Sequence, residues 1–320
     1  MTIIGRHVSK LSGYAPALPT PFDADDKIDC PAFERFCARQ IDDGATALVV
    51  GGTTGEAPTL TDAEHRELIH IAVAVARGRV PVVAGAGSNA TAHAIELSRD
   101  AEAAGADAIL SVVPYYNKPT QAGMEAHFRA ITEATGLPVI LYDIPARTVS
   151  GLADDTVVRL AEMPRIIGLK DATGDLTRVA RLRPRVGADF RLLSGDDATA
   201  PGFLAQGGDG CISVTSNAAP GLCRTLYLKR NTHSPCVPRL AQLHAQLTSA
   251  LFRESNPAPL KYALSLLGLM SARLRLPLVE PTEATRCAVR AAVAAIDDRC
   301  PGYLIGGAGW LADKIRIAAE

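Results

Sequence analysis

Lys170 is the residue whose type and place promise most chemistry. It ends the run Ile166-Ile167-Gly168-Leu169-Lys170, and Asp171-Ala172-Thr173-Gly174-Asp175 follows. An apolar run this short, bounded by turn residues, reads as a buried strand. A lysine at the C-terminal end of such a strand is drawn toward a low-dielectric interior that disfavours its charged form. The neutral amine is a nucleophile, suited to Schiff-base chemistry on a carbonyl substrate. At pH 7 an ordinary lysine is neutral only about 0.04% of the time, and a pKa of ~7–8 raises that fraction a few hundredfold. The plainer alternative is a strand-end lysine that snorkels to water or pairs with Asp171. Strand alternation, however, turns Asp171 the other way.

Other candidates fall at the ends of similar runs. Gly51-Gly52-Thr53-Thr54-Gly55-Glu56 is rich in small residues and can bring backbone N–H groups and two hydroxyls up to a carboxylate. Pro114-Tyr115-Tyr116-Asn117-Lys118-Pro119 and Tyr142-Asp143-Ile144-Pro145-Ala146-Arg147-Thr148 place tyrosines at two further strand ends. Imine formation moves protons onto and off a carbinol oxygen, which a tyrosine–threonine relay can do. Arg147, in a loop beside Tyr142, suits bidentate capture of a second carboxylate, though alone it reads as a solvated surface arginine. Ser194-Gly195-Asp196-Asp197 leaves room for a ligand near Lys170 and is expected to cap the next helix.

Positioning these residues together requires a particular fold. Eight β-rich runs alternate with longer amphipathic stretches: 15–18, 47–51, 81–85, 108–113, 139–144, 166–170, 191–194 and 211–214. Thr61–Ala76, Ala90–Ala104 and Met124–Ala134 have helical patterning, and Thr61-Asp62-Ala63-Glu64 is a capping box. Eight such units predict a closed (β/α)₈ TIM barrel over residues 13–217, with an open doubly wound sheet as the rival. Barrel active sites lie at the C-terminal strand ends, where all the candidates above fall. Gly85-Ala86-Gly87-Ser88-Asn89-Ala90 lacks the third glycine of a dinucleotide loop and follows the third strand, which argues against a nicotinamide enzyme. Residues 218–299 turn helical (220–229, 238–252, 259–267, 283–295) and read as a C-terminal extension. Cys300–Glu320, with the only tryptophan, is a tail of no assigned role.

The 320 residues carry a net charge of −1 and are 48% hydrophobic, so nothing points to nucleic acid or an anionic membrane. Seven scattered cysteines without a Cys-x-x-Cys argue against a disulfide framework or zinc site and fit a reducing cytoplasm. Met1–Ser12 lacks the apolar core of a signal peptide, and the apolar segments are too short to span a bilayer. The expected partner is a small molecule.

Taken together, the strand-end motifs resemble the dihydrodipicolinate synthase and N-acetylneuraminate lyase family of pyruvate-dependent class I aldolases. The likeness runs from Gly13-Tyr14 to about Ala295 and takes in Asn256-Pro257-Ala258-Pro259-Leu260-Lys261 and Leu276-Pro277-Leu278. The resemblance implies that Lys170 forms a Schiff base with pyruvate and that Thr53 and Thr54 hold its carboxylate. It implies a proton relay of Tyr142, Thr53 and Tyr116, with Tyr116 reaching into a neighbouring subunit's site, and a pocket lined by Gly195 and Ile212. It also implies a homotetramer of tight dimers and neither metal nor organic cofactor.

Within the family, Arg147 favours the synthase branch, in which it would bind L-aspartate 4-semialdehyde. The reaction expected is condensation of that aldehyde with pyruvate to 4-hydroxy-tetrahydrodipicolinate, for lysine and diaminopimelate synthesis. The alternative is an aldolase or dehydratase acting on a 2-keto-3-deoxy sugar acid; a non-catalytic keto-acid sensor is a third reading. Asp143 in place of asparagine, and Val149-Ser150-Gly151 where glycine usually follows Arg-Thr, depart from the pattern. The family's lysine feedback site matches Ala57, Asp62, His65, Asn89, His93 and Tyr115, with His93 in place of a glutamate that would pair the effector's ammonium. Weak or absent inhibition by lysine is the expectation.

Overall fold

The computed structural model describes residues 11–300 and 302–304. Expectations for Met1–Lys10 and for most of the tail, Trp310 included, fall outside them. Eight parallel strands form one sheet: β1 (Gly13–Pro16), β2 (Leu48–Val50), β3 (Val82–Gly85), β4 (Ala108–Val112), β5 (Val139–Asp143), β6 (Ile166–Asp171), β7 (Arg191–Ser194) and β8 (Gly210–Ser213). Their order is β1-β8-β7-β6-β5-β4-β3-β2. A parallel bridge between Ala17 and Val49, with Leu18 N–H donating to Val49 O at 2.8 Å, closes the ring. The barrel expected from the sequence is therefore present, and the open sheet is excluded.

Helices cover the outside: α1 (Cys30–Asp42), α2 (Asp62–Ala76), α3 (Thr91–Ala103), α4 (Gln121–Ala134), the single turn α5 (Pro145–Thr148), α6 (Asp154–Ala161), α7 (Thr177–Leu182) and α8 (Ala200–Ala205). Then follow α9 (Pro220–Lys229), α10 (Val237–Leu251), α11 (Ala258–Leu266) and α12 (Glu283–Arg299). Local chemistry sets several starts. Asp29 accepts from Ala32 N–H ahead of α1, and the Thr61–Glu64 capping box opens α2 with both of its bonds made. No side chain of Ser194-Gly195-Asp196-Asp197 caps α8, contrary to expectation, and the position before the helix is Thr199; Asp197 shows why. It is buried and instead accepts from Ser213 Oγ and the N–H groups of Val214 and Thr215, tying the β7 loop to the end of β8.

Alternation along the strands builds two concentric cores. Val49, Ala108, Leu110, Ile140, Tyr142, Leu193 and Ile212 fill the barrel, while Leu48, Val50, Ile109, Leu141, Leu169 and Leu192 face the helix layer. Each buried valine, leucine or isoleucine among them contributes ~1.5–3 kcal/mol.

Three histidines are held neutral by this burial. His65, His127 and His244 all lie below their usual 6.5 because desolvation penalises the imidazolium, His127 at about 4. Thr91 Oγ1 lies 2.9 Å from His127 Nδ1. A histidine pKa depressed by folding means that the unfolded chain binds more protons, so this stability is present above pH 6.5 and lost as pH falls toward 4. The melting temperature is expected to fall across that window and to fall less steeply in His127→Gln. An unchanged slope in that variant would contradict the assignment.

Candidate active site at the barrel mouth

Strand register sets Lys170 beside a second candidate, Tyr142. Lys170 on β6 pairs with Tyr142 on β5 and with Leu193 on β7. Lys170 is 6% exposed and its Nζ lies 4.1 Å from the centre of the Tyr142 ring. It makes no salt bridge among the described residues. The neighbouring Asp171 points outward, as alternation requires, and meets Arg178 at 3.4 Å in the helix layer. The plain pairing of Lys170 with Asp171 is thus excluded.

Gly195 follows β7 against the lysine. A Cβ built there would lie 2.9 Å from Lys170 Cε and 3.0 Å from its Cγ, closer than carbon atoms pack. Ile212 on β8 is buried in the inner core. Gly195→Ala is expected to displace the amine and to lower turnover at least ~100-fold, since small misplacements of a reacting group cost that much. The fold should survive, with the melting temperature little changed. Wild-type turnover would contradict this placement of Lys170.

Thr53 and Thr54 follow β2 on a tight loop. Gly51 has φ +65°, and a Cβ on it would strike the His65 ring at 2.5 Å. Glu56 N–H donates back to Thr53 O at 3.1 Å, and Thr20 Oγ1 donates to Gly55 O at 2.7 Å. Thr53 is half-buried and Thr54 buried.

Arg147 lies on the one-turn helix α5 rather than in an irregular loop. Pro145 at its start supplies a preset φ and forgoes an N–H that no acceptor needs. Arg147 is exposed and forms no ion pair among the described residues. Below it a charge cluster clamps the segment. Arg178 donates to Asp143 Oδ2 at 2.8 Å, to Asp154 Oδ1 at 3.0 Å and to Leu152 O at 2.6 Å, while Leu152 N–H donates to Asp143 Oδ2 at 3.1 Å. Burial pushes the Asp143 carboxyl up and Arg178 opposes the shift. The carboxylate at 143 thus serves to anchor both ends of the Arg147 segment. Val149 closes α5 with φ +63° and is 66% exposed. A β-branched residue there carries roughly 1–3 kcal/mol of strain that glycine would not.

Tyr116 differs: it is 88% exposed, with φ +73°, whereas Tyr142 is 6% exposed. Among the effector-site positions, His93 Nε2 lies 3.3 Å from Asp62 Oδ1, His65 Nε2 lies 2.7 Å from Gly85 O, and Asn117 Nδ2 donates to Asn89 O at 2.8 Å. Sequence reasoning missed Arg178, Glu56 and the partners of Asn256 and Lys261. Only the capping-like Asp175-x-Thr177 pattern hinted at structure near Arg178, and the other pairings join residues more than 200 positions apart. No group of three or more His, Cys, Asp or Glu among the described residues could hold a metal ion.

A closed barrel with a buried amine set on an aromatic ring at its C-terminal mouth defines an aldolase-type architecture. Residues 10–296 match the model of the dihydrodipicolinate synthetase family. The chain is 52% identical over 283 residues to a 4-hydroxy-tetrahydrodipicolinate synthase of Rhodospirillum centenum, covering 88% of this chain and 97% of that protein. It is 50% identical over 287 residues to the enzyme of the same name from Bradyrhizobium diazoefficiens, covering 89% and 96%. Among solved structures, the dihydrodipicolinate synthase of Acinetobacter baumannii complexed with pyruvate superposes with a TM-score of 0.85 at 42% identity, covering 89% of this chain and 98% of that one. The chain belongs to the dihydrodipicolinate synthetase family.

Proposed function

We propose that this protein is a lyase that condenses pyruvate with L-aspartate 4-semialdehyde to 4-hydroxy-tetrahydrodipicolinate, in lysine and diaminopimelate synthesis. The observation that carries the reading is the buried Lys170 amine packed on Tyr142, in a chain half identical to synthases of that name. The relative solved with pyruvate supports the first substrate.

In this reading Lys170 Nζ attacks C2 of pyruvate, and a C–N bond forms as the carbonyl electrons move to oxygen. Tyr142 and Thr53 pass both amine protons in turn to that oxygen, the first giving a carbinol and the second letting it leave as water to yield the imine. Thr53 and Thr54 hold the carboxylate, and Gly195 and Ile212 line the pocket. Loss of a methyl proton gives the enamine, whose carbon bonds to the aldehyde carbon while that carbonyl oxygen takes a proton. The amino group of the second substrate then attacks the imine carbon and displaces Lys170 as the ring closes. One water is released overall, and no redox step or organic cofactor enters. Arg147 grips the carboxylate of the aldehyde substrate, and its free guanidinium favours the synthase over a sugar-acid aldolase.

The exposed, strained Tyr116 supports a relay completed by a second copy, and with it a homotetramer of tight dimers. No helix of the described residues is long and apolar enough to cross a membrane, which accords with a cytoplasmic enzyme.

Coupling the reaction to dihydrodipicolinate reductase and following NADPH oxidation tests the reading. Turnover is expected with L-aspartate 4-semialdehyde, and none in Lys170→Ala. Arg147→Ala should lose at least ~100-fold in kcat/KM for the aldehyde, with pyruvate binding retained. A folded protein without turnover would contradict the assignment. Lysine should inhibit only above the millimolar range, because His93 replaces a carboxylate and the Asp62 side chain beside it is exposed and screened. Half-inhibition by lysine at sub-millimolar concentration would contradict this expectation, and His93→Glu should increase sensitivity.

A further inference from the structure

The motif Asn256-Pro257-Ala258-Pro259-Leu260-Lys261 lies in the helical extension, outside the chemistry above, yet two of its side chains reach the loop that carries Thr53 and Thr54. Asn256 is 6% exposed, and its Nδ2 donates to Thr54 Oγ1 at 3.0 Å. Lys261 is fully buried, with Nζ 2.7 Å from Glu56 Oε1 and 4.3 Å from the centre of the Phe22 ring. The backbone N–H of Arg275 donates to the other Glu56 oxygen at 3.0 Å. The Arg275 guanidinium donates to both oxygens of Glu64 and to the carbonyls of Thr59 and Asp26.

These contacts share one effect. Glu56 has φ +57°, a conformation a glutamate keeps only when its surroundings hold it. It is pinned by Lys261 and by Arg275 N–H, and it closes the turn onto Thr53 O. The loop backbone is therefore fixed from the extension side, and within that rigid loop the Thr54 hydroxyl is the one side chain that Asn256 engages. A hydroxyl has one proton to give and lone pairs that accept. A bond accepted from an amide N–H occupies a lone pair and leaves the proton to point elsewhere, polarised toward giving.

We propose that Asn256 is a positioning residue of the pyruvate site: by donating to Thr54 Oγ1 it commits the Thr54 hydroxyl to donate its own proton to the substrate carboxylate. The helical extension is then part of the active site and not only a cover for the barrel. This inference rests on the pyruvate reading of the site given above.

Borohydride reduction at increasing pyruvate concentration, quantified by intact mass of the full-length protein, gives the half-saturating pyruvate concentration for adduct formation. Wild type, Asn256→Ala, Thr54→Val and the double variant complete a cycle. Half-saturation is expected to rise about tenfold in each single variant and no further in the double, because valine leaves Asn256 nothing to orient. A structural role alone would lower the melting temperature of Asn256→Ala without moving its half-saturation, and that result overturns the proposal. So does a double variant in which the two effects multiply. If Asn256→Ala does not fold, Asn256→Asp keeps the size and removes the donor. The same tenfold rise is then expected, and wild-type half-saturation overturns the proposal. A wild-type protein that forms no adduct instead overturns the pyruvate reading on which the proposal stands.

Discussion

Closing eight parallel strands into a ring forces every second side chain into an interior too small for bulk water. Most positions answer with valine, leucine or alanine, and the barrel fills. At the upper end of β6 the inward position falls to a lysine. Its neighbours are an aromatic ring on one adjoining strand and, beyond the other, a glycine whose missing Cβ leaves room for the lysine's carbon stem. Everything else at the mouth depends on that constraint. The register that pairs Lys170 with Tyr142 sets the amine over the tyrosine ring, 4.1 Å from its centre.

Around this fixed centre the two segments that carry Thr53–Thr54 and Arg147 are held by charge. The Thr53–Thr54 loop is tied to the extension through Glu56, Lys261 and Arg275, and the Arg147 segment is tied to the helix layer through Asp143, Asp154 and Arg178. Buried ion pairs are poor sources of net stability, because desolvation offsets most of their attraction. Breaking one partner, however, leaves a charge stranded in the interior, so such pairs tolerate little movement. Loops made of glycine, threonine and alanine acquire rigidity in this way that their own composition does not provide.

The strand positions were legible in the sequence because parallel strands covered on both faces read as unbroken apolar runs between turn residues. Cys211–Val214 and Ile166–Lys170 were each displaced by no more than one residue at either end. The first strand was placed two residues late, since Ala17 and Leu18 continue the apolar run but bond to β2 as an isolated bridge. Lys170, Tyr142 and Gly195 were found from strand ends alone, and the structure places them together. The Ser194–Asp197 stretch reads as a helix cap because a helix follows it, whereas the partners of Asp197 lie at the end of β8 and just after it. The partners of Glu56, Asp143 and Asn256 were not legible, since no local pattern joins side chains from remote segments. The motif containing Asn256 and Lys261 was visible as a string and silent about what it touches.

The most direct test of the central claim is to trap the protein with pyruvate and borohydride and locate the modified lysine by peptide mass spectrometry. The account requires a single reduced adduct on Lys170, the buried amine at the end of β6. An adduct on another lysine, or none in folded protein, would contradict it.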